Sequence, residues 1–443
     1  MSYDSAVANL YALGHELART PSHKFDLAHM RVLLAALGHP EQRFPSVLIA
    51  GTNGKGSTAA TLASILCAAG YRTALYTSPH LVRLNERIRV TGEEISDEEF
   101  ATLHGRVEEV ANHLVAAGEL PWHPSFFEML TAIAFQHFAE AKVEIAVLEV
   151  GMGGRLDATN VVEPVVSVIT DIALDHQKFL GNTIAEIAGE KAGIIHPGGV
   201  VVTLPQHPAA NDVIGHAVLE RGARAVSAVP YVPPVSPAAD AGQAARTSYP
   251  LEVRGEEIVV ASPLLGRHQL RNIALAIAAA VELNDHGFRI SAADIAGGIR
   301  QTRWPGRFQV VPRHDSWPEL VLDVAHNPAG AWALRSALSQ HYGERRLTFL
   351  FGAMRDKAIG EIAEILFPLA ECVIATRADN PRSATPEEIH AAAARTGAEV
   401  LCAADVPSAL TLARSRAGFR GLVVITGSIY IVGEAMRELG IRA

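Results

Sequence analysis

The chain has few cysteines and few aromatic residues, and it carries neither a long apolar run nor a long block of like charge. Its three cysteines, Cys67, Cys372 and Cys402, are far apart in 443 residues. They form no CxxC pair and no metal-ligand spacing, which excludes a disulfide framework and predicts reduced thiols that fill core in a cytoplasmic setting. No stretch is apolar for the length a bilayer span needs, so no membrane partner is expected. The opening "MSYDSAVANLYALGHELA" has acidic residues and an amphipathic rhythm where a secretory leader would be basic and then apolar. The net charge of −9 comes without clustering, which argues against nucleic acid and for small-molecule partners. A monomer is expected. Aromatics make up 6% against 49% hydrophobic residues, an Ala/Val/Leu/Ile-rich balance that suits helices on buried parallel strands better than an all-β sandwich.

What the chain does have is a repeating strand, loop and helix pattern. "FPSVLIA", a Gly-rich loop, "STAATLASILCAAG" and "YRTALYT" read as a βαβ unit, with Gly70 placed to end the helix. Two further buried strands are predicted in "EIAVLEV" (144–150) and "VVSVITDI" (165–172). Ligands of such sheets bind outside the carboxyl ends of the strands, so these strands deliver Lys, Ser, Glu, Asp and His side chains to one site. "YPLEVRGEEIVVAS" alternates like a β-hairpin, and the Pro/Ala-rich stretch 227–250 before it reads as a surface excursion. The strand pattern restarts after "AADIAGGIRQ", which predicts an α/β fold in two domains, residues 1–301 and 302–443.

Four stretches carry the chemistry. "GTNGKGS" (51–57) lies between a strand and a helix, where glycines let amides turn inward, the helix offers its positive end, and Lys55 can reach outer phosphates. It departs from GxxxxGK[ST] because Gly56 separates Lys55 from Ser57. "YTSPHLVRLNERIRV" places Ser78 past a strand end; by itself Ser-Pro-His reads as a turn, with Arg83 and Arg87 on a solvated face. "AVLEVGMGGRLDATN" ends a buried strand in Glu149, a carboxylate that needs a partner or a cation, and magnesium fits beside a phosphate loop. "TDIALDHQKFLGNTIAEIAGEKAGII" brings Asp171, Asp175, His176 and, on a helix, Lys191.

Together with "HKFDL", "GRHQLRNIALA", "RWPGRFQ", "DVAHNP" and "TGSIYIVGE", these stretches resemble the folylpolyglutamate synthases and dihydrofolate synthases, of the Mur ligase superfamily of ATP-dependent amide-forming enzymes. The likeness runs over nearly the whole chain and implies that residues 1–301 form a P-loop-type domain and residues 302–443 a Rossmann-like domain, with ATP held between them. It implies a phosphate loop formed by Gly51, Thr52, Asn53, Gly54, Lys55, Gly56 and Ser57, with Asn272, Arg307 and Asp323 contacting base, phosphates and ribose. It also implies two magnesium ions on Ser57, Ser78, Glu149, His176 and a carbamylated Lys191, room for a monovalent cation, and His326 facing the reaction centre. A pterin site on Phe25, Asp26, Leu27, Ser125, Phe127, Asp157 and Ala158 follows, and a glutamate site on Arg83, Ser428 and Tyr430.

The implied reaction is ATP-dependent addition of L-glutamate to dihydropteroate, to reduced folates, or to both, through an acyl phosphate. Two other readings stand beside it. A peptidoglycan-type Mur ligase shares the ATP chemistry, and "HKFDL" and "GEKAGI" weigh against it. A non-ligating nucleotide-driven switch would hydrolyse ATP without need of pterin or glutamate.

Overall fold

The computed structural model describes residues 1–14, 26–234, 246–314, 317–343 and 345–442. Among the described residues sixteen strands form three sheets. The first sheet contains β1 (Ser46–Ala50), β2 (Thr73–Tyr76), β3 (Ile88–Val90), β4 (Glu93–Glu94), β5 (Ile145–Glu149), β6 (Val166–Ile169), β7 (Val200–Thr203) and β8 (Arg224–Ser227). Its order is β4-β3-β2-β5-β1-β6-β7-β8. From β2 to β8 the strands are parallel, and only the short β3 and β4 run antiparallel at one edge.

Buried on both faces, the central strands have no polar side to show. In β1, Leu48 and Ala50 enter one core while Val47 and Ile49 enter the other, the two-residue alternation of a pleated strand. Val47, Leu48 and Ile49, at 0% exposure, each contribute roughly 1.5–3 kcal/mol of hydrophobic stabilisation. The helix Lys55–Ala68 lies on one face against the helices Arg267–Leu283 and Ala292–Gln301. Gly298 permits that contact, because a Cβ there would collide with the backbone of Ile65.

The hairpin is present as β9 (Thr247–Val253) and β10 (Glu256–Ser262), antiparallel and joined at Arg254-Gly255. It begins inside the Pro/Ala-rich stretch, whose front residues extend β8 to Ser227 and whose middle, 235–245, lies outside the described residues. The second large sheet, here the second sheet, has β11 (Gln309–Val311), β12 (Glu319–Leu322), β13 (Leu347–Phe351), β14 (Ala370–Ala375), β15 (Val400–Cys402) and β16 (Leu422–Thr426). Its order is β11-β12-β16-β13-β14-β15, parallel except for β11, with helices on both faces.

Two expectations need correction. Only Cys372 is buried core; Cys67 is half-buried and Cys402 is exposed at the short edge strand β15. Arg87 is not on a solvated face. It is 2% exposed, donates to His80 Nδ1 at 2.9 Å and stacks over Phe126, because the loop after β2 folds inward beneath the second sheet's helix Ile429–Glu438. No helix among the described residues is long and apolar enough to cross a membrane.

Candidate active site

The carboxyl ends of β2, β5, β1 and β6 lie side by side, so each strand turns into a loop at the same edge. A cavity of about 850 Å³ opens there, walled on its other side by the second sheet's carboxyl edge. All seven residues of the Gly51–Ser57 loop line it. Gly54 caps the helix with φ of 91°, a left-handed conformation, and a side chain there would also collide with Asn272. The loop is anchored from behind, since the amides of Thr52 and Asn53 both donate to the Asp171 carbonyl, at 2.9 and 3.1 Å. The amides of Lys55, Gly56 and Ser57 open the helix, where no acceptor exists one turn earlier, and are therefore free to hold phosphate oxygens.

Two lysines converge on this loop. Lys55 Nζ donates to the carbonyls of Gly51 and Thr52 at 3.2 and 3.4 Å, and Lys191 Nζ donates to the same Gly51 carbonyl at 2.8 Å. Lys191 is 3% exposed. Burial, reinforced by the charge of Lys55, pushes its amine down to about 7. The glutamates on its own helix are engaged elsewhere: Glu186 caps the helix at Thr183 and Glu190 pairs with Arg155.

Glu149 ends β5, 4% exposed, and accepts the Ser78 amide at 3.1 Å. Burial raises its carboxyl, against the charges of Lys55, Arg307 and Arg87 and the Ser78 amide. His176 follows β6 with its ring pushed down to about 4 by burial and by the charges of Lys357, His326 and Lys55, so it is neutral at pH 7 with a nitrogen able to bind a cation. Among the described residues no three His, Cys, Asp or Glu side chains group as a metal site. A hydroxyl at Ser57, a carboxylate at Glu149 and a neighbouring phosphate cradle nevertheless suit magnesium, which takes one or two carboxylates and completes its shell with phosphate and water oxygens.

The second sheet's contribution meets the first at Asp175. Its carboxylate receives Lys357 Nζ at 2.5 Å and Asn327 Nδ2 at 3.3 Å, with His326 Nε2 at 3.4 Å. Burial would raise this carboxyl, but the His326 hydrogen bond and the charges of His326, His176 and Lys357 outweigh it and hold it well below the usual carboxylate range. Asn327 also exchanges side-chain hydrogen bonds with Asn53 of the phosphate loop, at 3.0 and 3.4 Å. Arg307, half-buried, faces the cavity and lies over the Trp304 ring, while Asp323 accepts the amides of Phe308 and Ala325. Asn272 holds Gln269 and packs on Gly54.

At the far end Asp26, Leu27, Ser125, Phe127, Asp157 and Ala158 line the same cavity, joined by Met30 and Phe126. Phe25 lies outside the described residues. Burial raises the Asp157 carboxyl, which accepts from Met152 and Thr159. Ser428 and Tyr430 line the cavity on the second-sheet side. Arg83 does not join the cavity lining: its guanidinium meets Asp97 at 2.5 Å and the Tyr3 ring, because the local turn points it back towards the outer helices. Asn327, Lys357 and Arg271 are not singled out by the sequence; Arg271 lines the cavity and donates to the Asp171 carboxylate at 2.6 Å. An Asn before Pro328 signals a helix cap, and nothing local tells Lys357 from a solvated lysine.

Two family models match: the Mur ligase middle domain over residues 127–280 and the Mur ligase glutamate ligase domain over 306–429. The two matched stretches are thus those of a Mur ligase. The dihydrofolate synthase/folylpolyglutamate synthase of Bacillus subtilis is 37% identical over 419 residues, covering 94% of this chain and 95% of its own. A crystal structure of Mycobacterium tuberculosis folylpolyglutamate synthase complexed with ADP and AMPPCP superposes with a TM-score of 0.83 at 32% identity, covering 99% of both chains. The Escherichia coli enzyme in complex with DHPP and ADP superposes with a TM-score of 0.83 at 28% identity, covering 99% of this chain and 98% of that one. The chain belongs to the folylpolyglutamate synthase/dihydrofolate synthase family.

Proposed function

We propose that the chain is an ATP-dependent ligase that joins L-glutamate to the carboxyl group of dihydropteroate, of a reduced folate, or of both. One observation carries this: a single cavity of about 850 Å³ links the phosphate loop to an end lined by Phe126, Phe127, Met30 and Asp157. The carboxylate of the pterin substrate attacks the γ-phosphorus of ATP, giving an acyl phosphate and ADP. The amine of glutamate then attacks the acyl carbon, phosphate leaves, and the amine loses its proton as the amide forms.

Lys55 and the loop amides hold the phosphoryl oxygens and offset the charge that spreads over them in transfer. Ser57, Ser78, Glu149 and His176 would hold magnesium, which when bound adds a fixed positive charge at the transferring group. Lys191 is proposed to react as its uncharged amine with carbon dioxide, forming a carbamate and releasing one proton; an amine titrating near 7 makes that form available at neutral pH. The product is an anionic oxygen donor beside the same loop. Arg307 and His326, brought in from the second unit, face the phosphates when the cavity closes and keep water from the acyl phosphate. The units are taken as residues 1–301 and 302–443, Ser428 and Tyr430 as the glutamate side of the cavity, and Asn272 and Asp323 as nucleotide contacts.

The test is a product assay with ATP, L-glutamate and either dihydropteroate or tetrahydrofolate, resolved by mass. Addition of glutamate to at least one acceptor is expected, and the masses tell a single addition from a chain. ATP hydrolysis with no glutamylated product from either would remove the assignment.

A further inference from the structure

His29 lies on the helix Leu27–Ala36 behind the far end of the cavity, its side chain 5% exposed. Its two ring nitrogens face two groups that only accept. Nδ1 is 3.2 Å from Glu128 Oε1, and Nε2 is 3.0 Å from the Trp122 carbonyl oxygen. A neutral imidazole has one N–H and would leave one of these contacts without a proton; only the imidazolium satisfies both. Burial disfavours that charge, but the hydrogen bond and charge of Glu128, the Trp122 carbonyl and the charge of Asp26 outweigh it and raise the ring above its ordinary value.

The charge is relayed to the cavity wall. Glu128 Oε2 accepts both the Ser125 amide at 2.8 Å and the Ser125 hydroxyl at 2.7 Å, while Oε1 stays with His29. Ser125 and Glu128 line the cavity; His29 does not. With its proton turned to Glu128, the Ser125 hydroxyl can offer a ligand only a lone pair.

We propose that His29 is a positioning residue for the substrate's ring end: fixed as an imidazolium between Trp122 and Glu128, it holds Glu128 on Ser125 and makes the Ser125 hydroxyl an acceptor for a ring N–H or amino group. This rests on the reading that this end of the cavity takes the pterin. The test uses the full-length enzyme with His29→Gln, Glu128→Gln and the double variant, with dihydropteroate and tetrahydrofolate as acceptors. His29→Gln keeps the size but cannot supply two charged donors. We expect KM for the acceptor to rise about tenfold, as for loss of a charged hydrogen bond, with kcat and KM for ATP within about twofold. Because His29 acts through Glu128, the double variant should be no weaker than the weaker single variant. Additive effects, or equal loss for ATP and acceptor, would overturn the proposal. Nitrogen-15 NMR of the wild-type histidines with ADP bound should show both His29 nitrogens protonated at pH 7.5; a neutral ring refutes it, including in the event that His29→Gln does not fold. If the wild type glutamylates neither acceptor, the reading of the cavity fails instead, and the NMR still decides the charge on His29.

Discussion

The carboxyl edges of the two large sheets face each other across one cavity, and they are built differently. The first edge is complete within its own unit: the phosphate loop, Glu149 and His176 follow adjacent strands, and the loop is tied back to Asp171 by its own amides. The second edge is tight and nearly featureless by itself. Gly352 and Gly427 leave no room for side chains against Ile431 and Phe351, and the long groups that remain are held locally only in part: His326 Nδ1 meets the Val324 carbonyl and Asn327 Oδ1 accepts the Gly330 amide, while His326 Nε2, Asn327 Nδ2 and Lys357 Nζ turn to Asp175 and Asn53 of the first unit. One edge is a preformed cradle, and the other supplies charge that acquires its role by docking. Chemistry lost from the first edge should therefore be lost outright, whereas changes at the second should act through closure.

The largest effect is expected at Lys55. Lys55→Ala removes the charge proposed to act on phosphate and no core contact, so ligation should fall by about a thousandfold or more while the melting temperature stays near wild type. Turnover close to wild type would break the comparison at its strongest point. Glu149→Gln should follow, with a loss of about a hundredfold and a shift of the magnesium dependence to higher concentration in the same titration. An unchanged magnesium dependence would make the carboxylate structural.

Lys191→Ala should lose activity to a similar extent, with partial rescue by added formate or acetate occupying the vacated ligand position. The pH dependence has a definite sign. The folded amine is pushed down to about 7, below the ordinary lysine value, so the uncharged form proposed to react with carbon dioxide grows as pH rises through 7. The alkaline-going limb of activity should steepen there in bicarbonate-containing buffer. Between about pH 7 and 10 the unfolded chain holds the extra proton, so wild type should gain stability over Lys191→Met as pH rises through that window in buffer free of carbon dioxide, read from urea midpoints. A flat difference would place the lysine in solvent.

The smallest effect tests the second edge. Lys357→Met removes one member of a pair in which both side chains are under 10% exposed, which costs about 3 kcal/mol of docking when a buried charge is left without its partner. Small-angle scattering should show a more open ensemble without nucleotide, and KM for ATP should rise more than kcat falls. A fall in kcat as large as that of Lys55→Ala would mean that Lys357 touches the reacting groups and that the contrast between the edges is wrong.

What the sequence determined by itself was local. Buried parallel strands announce themselves as short apolar runs, and the phosphate loop as glycines between a strand and a helix, because both signals arise from the backbone and its immediate neighbours. Gly54 must be glycine for its own φ, and Lys55 reaches carbonyls only three and four residues away. Lys191 was already ambiguous: its helix fits a solvated face as well as a buried one, and the extended motif, not periodicity, pointed inward. Arg83 and Arg87 show the same limit, four residues apart in one polar stretch, one turned outward to Asp97 and one buried at His80. The tertiary structure alone decided that Asp175 is the meeting point of the two units, 151 residues from His326 and 182 from Lys357 in the chain. Contacts across such separations depend on how two cores dock, and no spacing within either stretch encodes that.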